Sequence, residues 1–146
     1  SDEEAIALPV SGFAQVDHLL AVGQSEKAGE VATRLLAESP SDPFALAALA
    51  RVRLAMRDLD GAQAAIDEAI GLDPESPGFH MLRGSVCLRR GRFAEAERSL
   101  LKAIELDPEL AAGHFCYGEL LWICDHDRAA LPAVRNYPVY RPFGAL

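Results

Sequence analysis

AIDEAIGLDPES (Ala65–Ser76) and SLLKAIELDPEL (Ser99–Leu110) lie over one another with their numbering offset by 34. The same step separates Pro40, Pro74 and Pro108, and it separates Ala28, Ala62, Ala96 and Ala130. A period of that length accommodates two helices of about 12–14 residues and two short turns. The spacing of apolar residues within the repeat is helical: Ile66, Ala69 and Ile70 share one face, as do Leu100, Ala103 and Ile104. No segment alternates as a strand does. Turn chemistry fits the same frame. Asp42 before Pro43 and Ser76 before Pro77 read as N-caps followed by proline at the first helical position. Gly23 and Gly91 follow helical runs and suit the left-handed residue that ends a helix.

The expected elements are helices over about 11–22, 25–38, 43–57, 60–71, 77–90, 93–106 and 109–124. The domain organisation is an N-terminal extension (1–8), helical repeats over about 9–42, 43–76, 77–110 and 111–137, and a proline- and aromatic-rich tail (138–146). The fold class is all-α, a right-handed α-solenoid of three to four antiparallel hairpins. Such arrays are stable only as stacks, because each hairpin alone leaves apolar sides open.

At these positions the chain resembles the tetratricopeptide repeat family over roughly residues 9–137. The third repeat carries the pattern best, with Gly84, Gly91, Phe93, Ala96, Leu100, Ala103 and Pro108. The second follows it from Ala62 onward. The first departs, with Gly12 and Gln15 where bulk is usual, and Arg53 and Arg83 stand where the family packs apolar residues. The resemblance implies a groove lined by the first helix of each repeat, where peptides bind. Carried over by position, the lining is Phe13 and Asp17, then Phe44, Ala47, Ala48, Arg51 and Leu54. It continues with Met81, Leu82, Ser85, Leu88 and Arg89, and ends with Phe115, Cys116, Glu119 and Trp122. This lining is apolar with aromatic anchors and two arginines. It lacks the Lys/Asn set by which some relatives clamp a terminal carboxylate, and suits an amphipathic helix or an extended segment.

Composition narrows the function classes. The chain has 146 residues, half of them apolar, which suits one domain with a core. Its formal net charge of −8 argues against nucleic acid and against an anionic membrane surface as partner. No apolar run approaches the ~20 residues that span a bilayer. Three cysteines (Cys87, Cys116, Cys124) give no complete disulfide framework, which points to a reducing, cytoplasmic setting. Abundant Ala, Arg and Asp suit a GC-rich bacterial genome. The first residue is Ser1, which suggests an excerpt or a processed chain.

Charge is divided unevenly. After Asp127 there is no acid, while Arg128, Arg135 and Arg141 give +3; the stretch up to and including Asp127 carries 11 basic and 22 acidic residues. Pro132 falls about one turn into the second helix expected of the fourth repeat, in which Ala130 keeps the register, and proline there costs ~3 kcal/mol. The tail NYPVYRPFGAL carries Tyr137, Tyr140 and Phe143 among prolines. Such a segment is expected to dock on exposed apolar surface of its own or a neighbouring copy.

No catalytic motif emerges. His80 and His114 stand one repeat apart, which reads as equivalent packing positions. His114, Cys116, Cys124 and His126 match no zinc spacing. Cys124 and His126 are two apart and do not face each other on a helix. Asp125 and Asp127 read as solvated turns, and Asp58, Asp60, Asp67 and Glu68 as a wetted outer face. The expectation is a non-enzymatic protein-interaction module, an adaptor, scaffold or chaperone, without cofactor or metal, whose partner is a protein or peptide. The alternatives are an accessory domain of a larger enzyme, or a self-assembly module that forms homo-oligomers through its ends or tail. The small residues also give a stability expectation. Ala96→Leu overpacks the close contact between paired helices and lowers stability by ~1–3 kcal/mol in chemical denaturation.

Overall fold

The computed structural model describes residues 11–127. The N-terminal extension, Pro132, the fourth repeat after Asp127 and the aromatic tail lie outside the described residues. Among the described residues there are seven α-helices and no strand. They are α1 (Gly12–Ala21), α2 (Ser25–Glu38), α3 (Pro43–Ala55), α4 (Leu59–Leu72), α5 (Pro77–Arg89), α6 (Phe93–Leu106) and α7 (Ala111–His126). The chain divides between Leu72 and Asp73 into two compact units.

In the first unit α1 pairs with α2 and α3 with α4, and α3 also packs on α1 and α2. Its core gathers Val16, Ala28, Val31, Ala32, Ala48 and Val52, flanked by Phe13, Leu19, Leu20, Leu35 and Leu49. In the second unit α5 pairs with α6, and α7 packs on both. Its core holds Cys87, Leu88, Ala96, Leu100, Tyr117, Leu120 and Cys124. Ala28, Ala62 and Ala96 are completely buried, as close packing of paired helices requires.

Three corners repeat the same hydrogen bonds. Gly23, Arg57 and Gly91 have φ of 79°, 62° and 73°. Their N–H groups donate to Leu20, Leu54 and Leu88 at 3.1 Å, and the N–H groups of Gln24, Asp58 and Arg92 reach back to Leu19, Arg53 and Cys87 at 2.8–2.9 Å. This is the Schellman closure, which satisfies carbonyls that a helix end would otherwise leave unpaired. Sequence reasoning located the two glycine corners. The middle one is occupied by Arg57, and its turn ends α3 at Ala55 rather than at the expected Arg57. Helix α7 begins at Ala111 rather than Glu109, because Asp107 turns the chain by accepting the Glu109 N–H at 3.1 Å.

The departures from the family pattern are accommodated by polar contacts or by compensating bulk. A Cβ on Gly12 would collide with Leu35, which reaches across from α2 and supplies the missing volume. Arg53 donates to the Gly61 carbonyl at 3.1 Å. Arg83 donates to Ser99 Oγ at 2.8 Å and pairs with Glu95 at 3.2 Å. Both arginines therefore tie the two helices of their hairpin together. Since a left-handed conformation strains any residue with a Cβ, Arg57→Gly is expected to raise stability by roughly 0.5–1 kcal/mol, read as a higher denaturation midpoint at unchanged slope.

Candidate functional site

The candidate lining falls into two sets, one in each unit. In the first unit Phe13 on α1 and Phe44 at the start of α3 meet edge to face, with ring centroids 6.3 Å apart. Asp42 caps α3 by accepting the Phe44 N–H at 2.9 Å, which fixes the backbone from which that ring projects. Asp17 and Arg51, one repeat apart in sequence, form an ion pair between α1 and α3. Leu54 is half-buried, and Ala47 and Ala48 are buried.

In the second unit Phe115 and Trp122 project from α7 and are 69% and 62% exposed, so two large apolar rings face solvent. They line an open groove of about 650 Å³ with Arg89, Gly118, Glu119 and Ile123. Arg89 on α5 donates to Glu119 at 3.4–3.5 Å, a long and solvent-screened pair. Ser85 touches Cys116 at 3.4 Å between hydroxyl and sulfur. The His126 ring stacks on Trp122 with centroids 4.0 Å apart, and its Nδ1–H donates to the Trp122 carbonyl at 2.7 Å. Met81 is half-buried, whereas Leu82 and Leu88 are buried. Thus Phe44, Arg51, Arg89, Phe115 and Trp122 present themselves to solvent, Phe13, Leu54, Met81, Ser85 and Glu119 do so in part, and Ala47, Ala48, Leu82 and Leu88 belong to the packed interior.

The other chemically suggestive side chains have structural partners. His80 and His114 make the same bond, Nε2–H to the carbonyl of the proline six residues earlier (Pro74 at 2.7 Å, Pro108 at 2.6 Å), as their shared register implied. Sequence reasoning missed one buried polar pair. Glu97 is 3% exposed and accepts the Tyr117 hydroxyl at 3.3 Å. The signal was available, because Gln63, at the equivalent position of the preceding repeat, is also buried and bonds Asp67 at 3.0 Å. Burial pushes the Cys124 thiol up, and the negative charges of Glu97, Asp125 and Asp127 push the same way. That is the opposite of what activates a nucleophilic thiol. Among the described residues no group of His, Cys, Asp and Glu gathers as a metal site, and no helix is long and apolar enough to cross a membrane.

Antiparallel helical hairpins that recur at one fixed interval, closed by equivalent turns, define a helical-repeat protein. Residues 47–111 match the family model described as tetratricopeptide repeat. Similar solved structures share the fold. The second tetratricopeptide domain of human RPAP3, solved with an HSP70 peptide, is 21% identical, with 75% of this chain and 92% of that one covered and a TM-score of 0.65. The Yersinia enterocolitica type III secretion translocator chaperone SycD is 24% identical, with 80% and 83% covered and a TM-score of 0.68. The Thermobaculum terrenum O-GlcNAc transferase is 20% identical with a TM-score of 0.71; 84% of this chain is covered, but only 24% of the transferase. No curated protein matches the chain in sequence.

The raised Cys124 thiol has a consequence for stability. The folded state holds the proton to higher pH than an unfolded thiol, whose pKa is about 8.5. The stabilisation is therefore complete below that value and is lost as pH rises through the folded pKa. Melting temperature is expected to fall as pH climbs above about 8.5, and Cys124→Val is expected to flatten that part of the profile.

Proposed function

We propose that the chain is a protein-interaction module that seats a polypeptide segment on the exposed face of α7, with Phe115 and Trp122 as anchors and Arg89 and Glu119 as polar guides. The observation that carries this reading is the exposure of two large aromatic side chains beside an open apolar groove. Burying an aromatic ring there recovers transfer free energy that solvent exposure forgoes, and buried aromatics flanked by arginine are the usual energetic centre of an interface. The RPAP3 domain, solved with an HSP70 peptide, and SycD, a translocator chaperone, support the same use of this fold. The cations on the two faces are Arg51 and Arg89, each shared with an acid. The segment is accordingly held by apolar anchors more than by a terminal carboxylate. Phe13 and Phe44, with Asp17 and Arg51, offer a second, smaller contact of the same composition.

The transferase likeness favours one other reading. A repeat array can serve as the substrate-holding part of a larger enzyme, and this chain covers only 24% of that protein. Three cysteines outside any disulfide suit a cytoplasmic setting for either role.

Trp122 is the single tryptophan of the chain, so its emission reports the groove directly. Peptides selected from a display library are expected to shift that emission to the blue on titration. Phe115→Glu is expected to weaken them at least tenfold, about 1.4 kcal/mol or more, with the helical circular dichroism unchanged. Selected peptides that bind Phe115→Glu as tightly as the parent chain place the site elsewhere and overturn the reading.

A further inference from the structure

We infer that the α7 groove seats a second copy of this chain, so that the free protein pairs face to face through α7 and parts to take any other segment. The inference rests on the groove reading above and names a partner for that face. Three observations carry it.

The first is symmetry. A two-fold interface needs one patch that is complementary to itself. Phe115 and Trp122 stand seven residues apart on one face of α7, and the midpoint between them falls between Gly118 and Glu119. All four residues line the groove. Two α7 helices laid antiparallel about that midpoint bring Phe115 of each copy to Trp122 of the other. The same operation brings Glu119 of each copy over Gly118 of the other. Glycine has no side chain, so Glu119 has room there and the two backbones can approach. Each exposed ring thus meets an aromatic partner, a pairing that gains beyond simple area burial.

The second is charge. Copies of a chain with a net charge of −8 repel one another over most approaches. The groove is lined by one arginine and one glutamate, so it adds no repulsion of its own. The Arg89–Glu119 pair is long, at 3.4–3.5 Å, and its side chains are 50% and 33% exposed. Antiparallel apposition sets two such pairs side by side, and each guanidinium can then serve both carboxylates. A couple of opposite signs is matched by the same couple in reverse order, which is what a two-fold copy presents.

The third is area. An aromatic side chain covers roughly 150–250 Å² when buried, and Phe115 and Trp122 are 69% and 62% exposed. Two copies together therefore bring on the order of 500 Å² of ring surface to the contact. An interface built on that surface falls under the ~1,200 Å² of a standard specific complex, among weak and transient associations. The pair is accordingly reversible, with a dissociation constant weaker than ~1 µM, and a segment that binds the groove more tightly displaces the second copy.

The test uses the full chain. Weight-average mass in sedimentation is expected to rise from one copy toward two between ~1 µM and ~1 mM, and Trp122 emission is expected to move to the blue over the same range. Phe115→Glu is expected to remain a single copy at ~1 mM, with its helical circular dichroism unchanged. Arg89→Glu and Glu119→Arg are each expected to weaken pairing at least tenfold alone, and an equimolar mixture of the two is expected to recover it. Recovery on mixing reports contact across the two-fold, because a bond lost within one chain is not repaired by another variant. A parent that stays a single copy at ~1 mM overturns the inference. So does a pair that survives Phe115→Glu, which assigns the interface to another face, and so does a mixture that stays unpaired. If library-selected peptides shift Trp122 while any of these results holds, the groove reading stands and the second-copy inference alone fails. If the parent stays a single copy and no library peptide moves Trp122, both fail together.

Discussion

The structure depends on the close approach of paired helices at three alanines. Ala28, Ala62 and Ala96 are each fully buried, and each lies five residues after a left-handed corner at Gly23, Arg57 or Gly91. The corner sets the direction of the second helix, and the alanine sets how near it can come to the first. Neither feature is sufficient alone. A correct turn with a bulky residue at the contact would hold the helices apart, and a small residue after a different turn would meet empty space. Because the interval between corner and contact is fixed, the pairing geometry is written into each hairpin locally. Within each unit the apolar clusters then fill around a spacing already decided.

This locality explains what is legible in the sequence alone. The repeat register appears in prolines, alanines and loop sequences together, and helices α2 and α6 fall where the periodicity put them. The corner at Arg57 was invisible because its residue type gives no hint of a positive φ; only its register with Gly23 and Gly91 does. Gly12 looked like a gap in the pattern, but the missing bulk comes from Leu35 on the partner helix. A one-dimensional pattern records which residue occupies a position and not which neighbour fills the same space.

The groove was less legible for a related reason. On a helix the stripe facing the core and the stripe facing an open groove adjoin, and register alone does not separate them. Ala47, Ala48, Leu82 and Leu88 sit at lining positions by register yet belong to the packed interior, while Phe44, Phe115 and Trp122 turn outward. Size and neighbouring contacts decide between the two. Small or branched side chains at the border are drawn into the helix interface, whereas a large ring that finds no room is left in solvent. The buried Glu97 shows the opposite error. An acid at a repeat position reads as surface, yet the Tyr117 hydroxyl satisfies it inside the second unit, next to the thiol it helps to keep protonated.

The two aromatic pairs differ in a way that singles out α7. Phe13 and Phe44 come from different helices and meet, so each covers part of the other. Phe115 and Trp122 come from one helix and stand seven residues, or about 10 Å, apart along its axis. Side chains at that separation lie on the same face but are too far apart to stack on each other. His126, four residues on, stacks on one side of the Trp122 ring, and Phe115 is exposed. The helix itself holds the two points of attachment apart. The two rings therefore expose apolar surface at separate points along one face of α7. A partner that covers both rings has to span that separation.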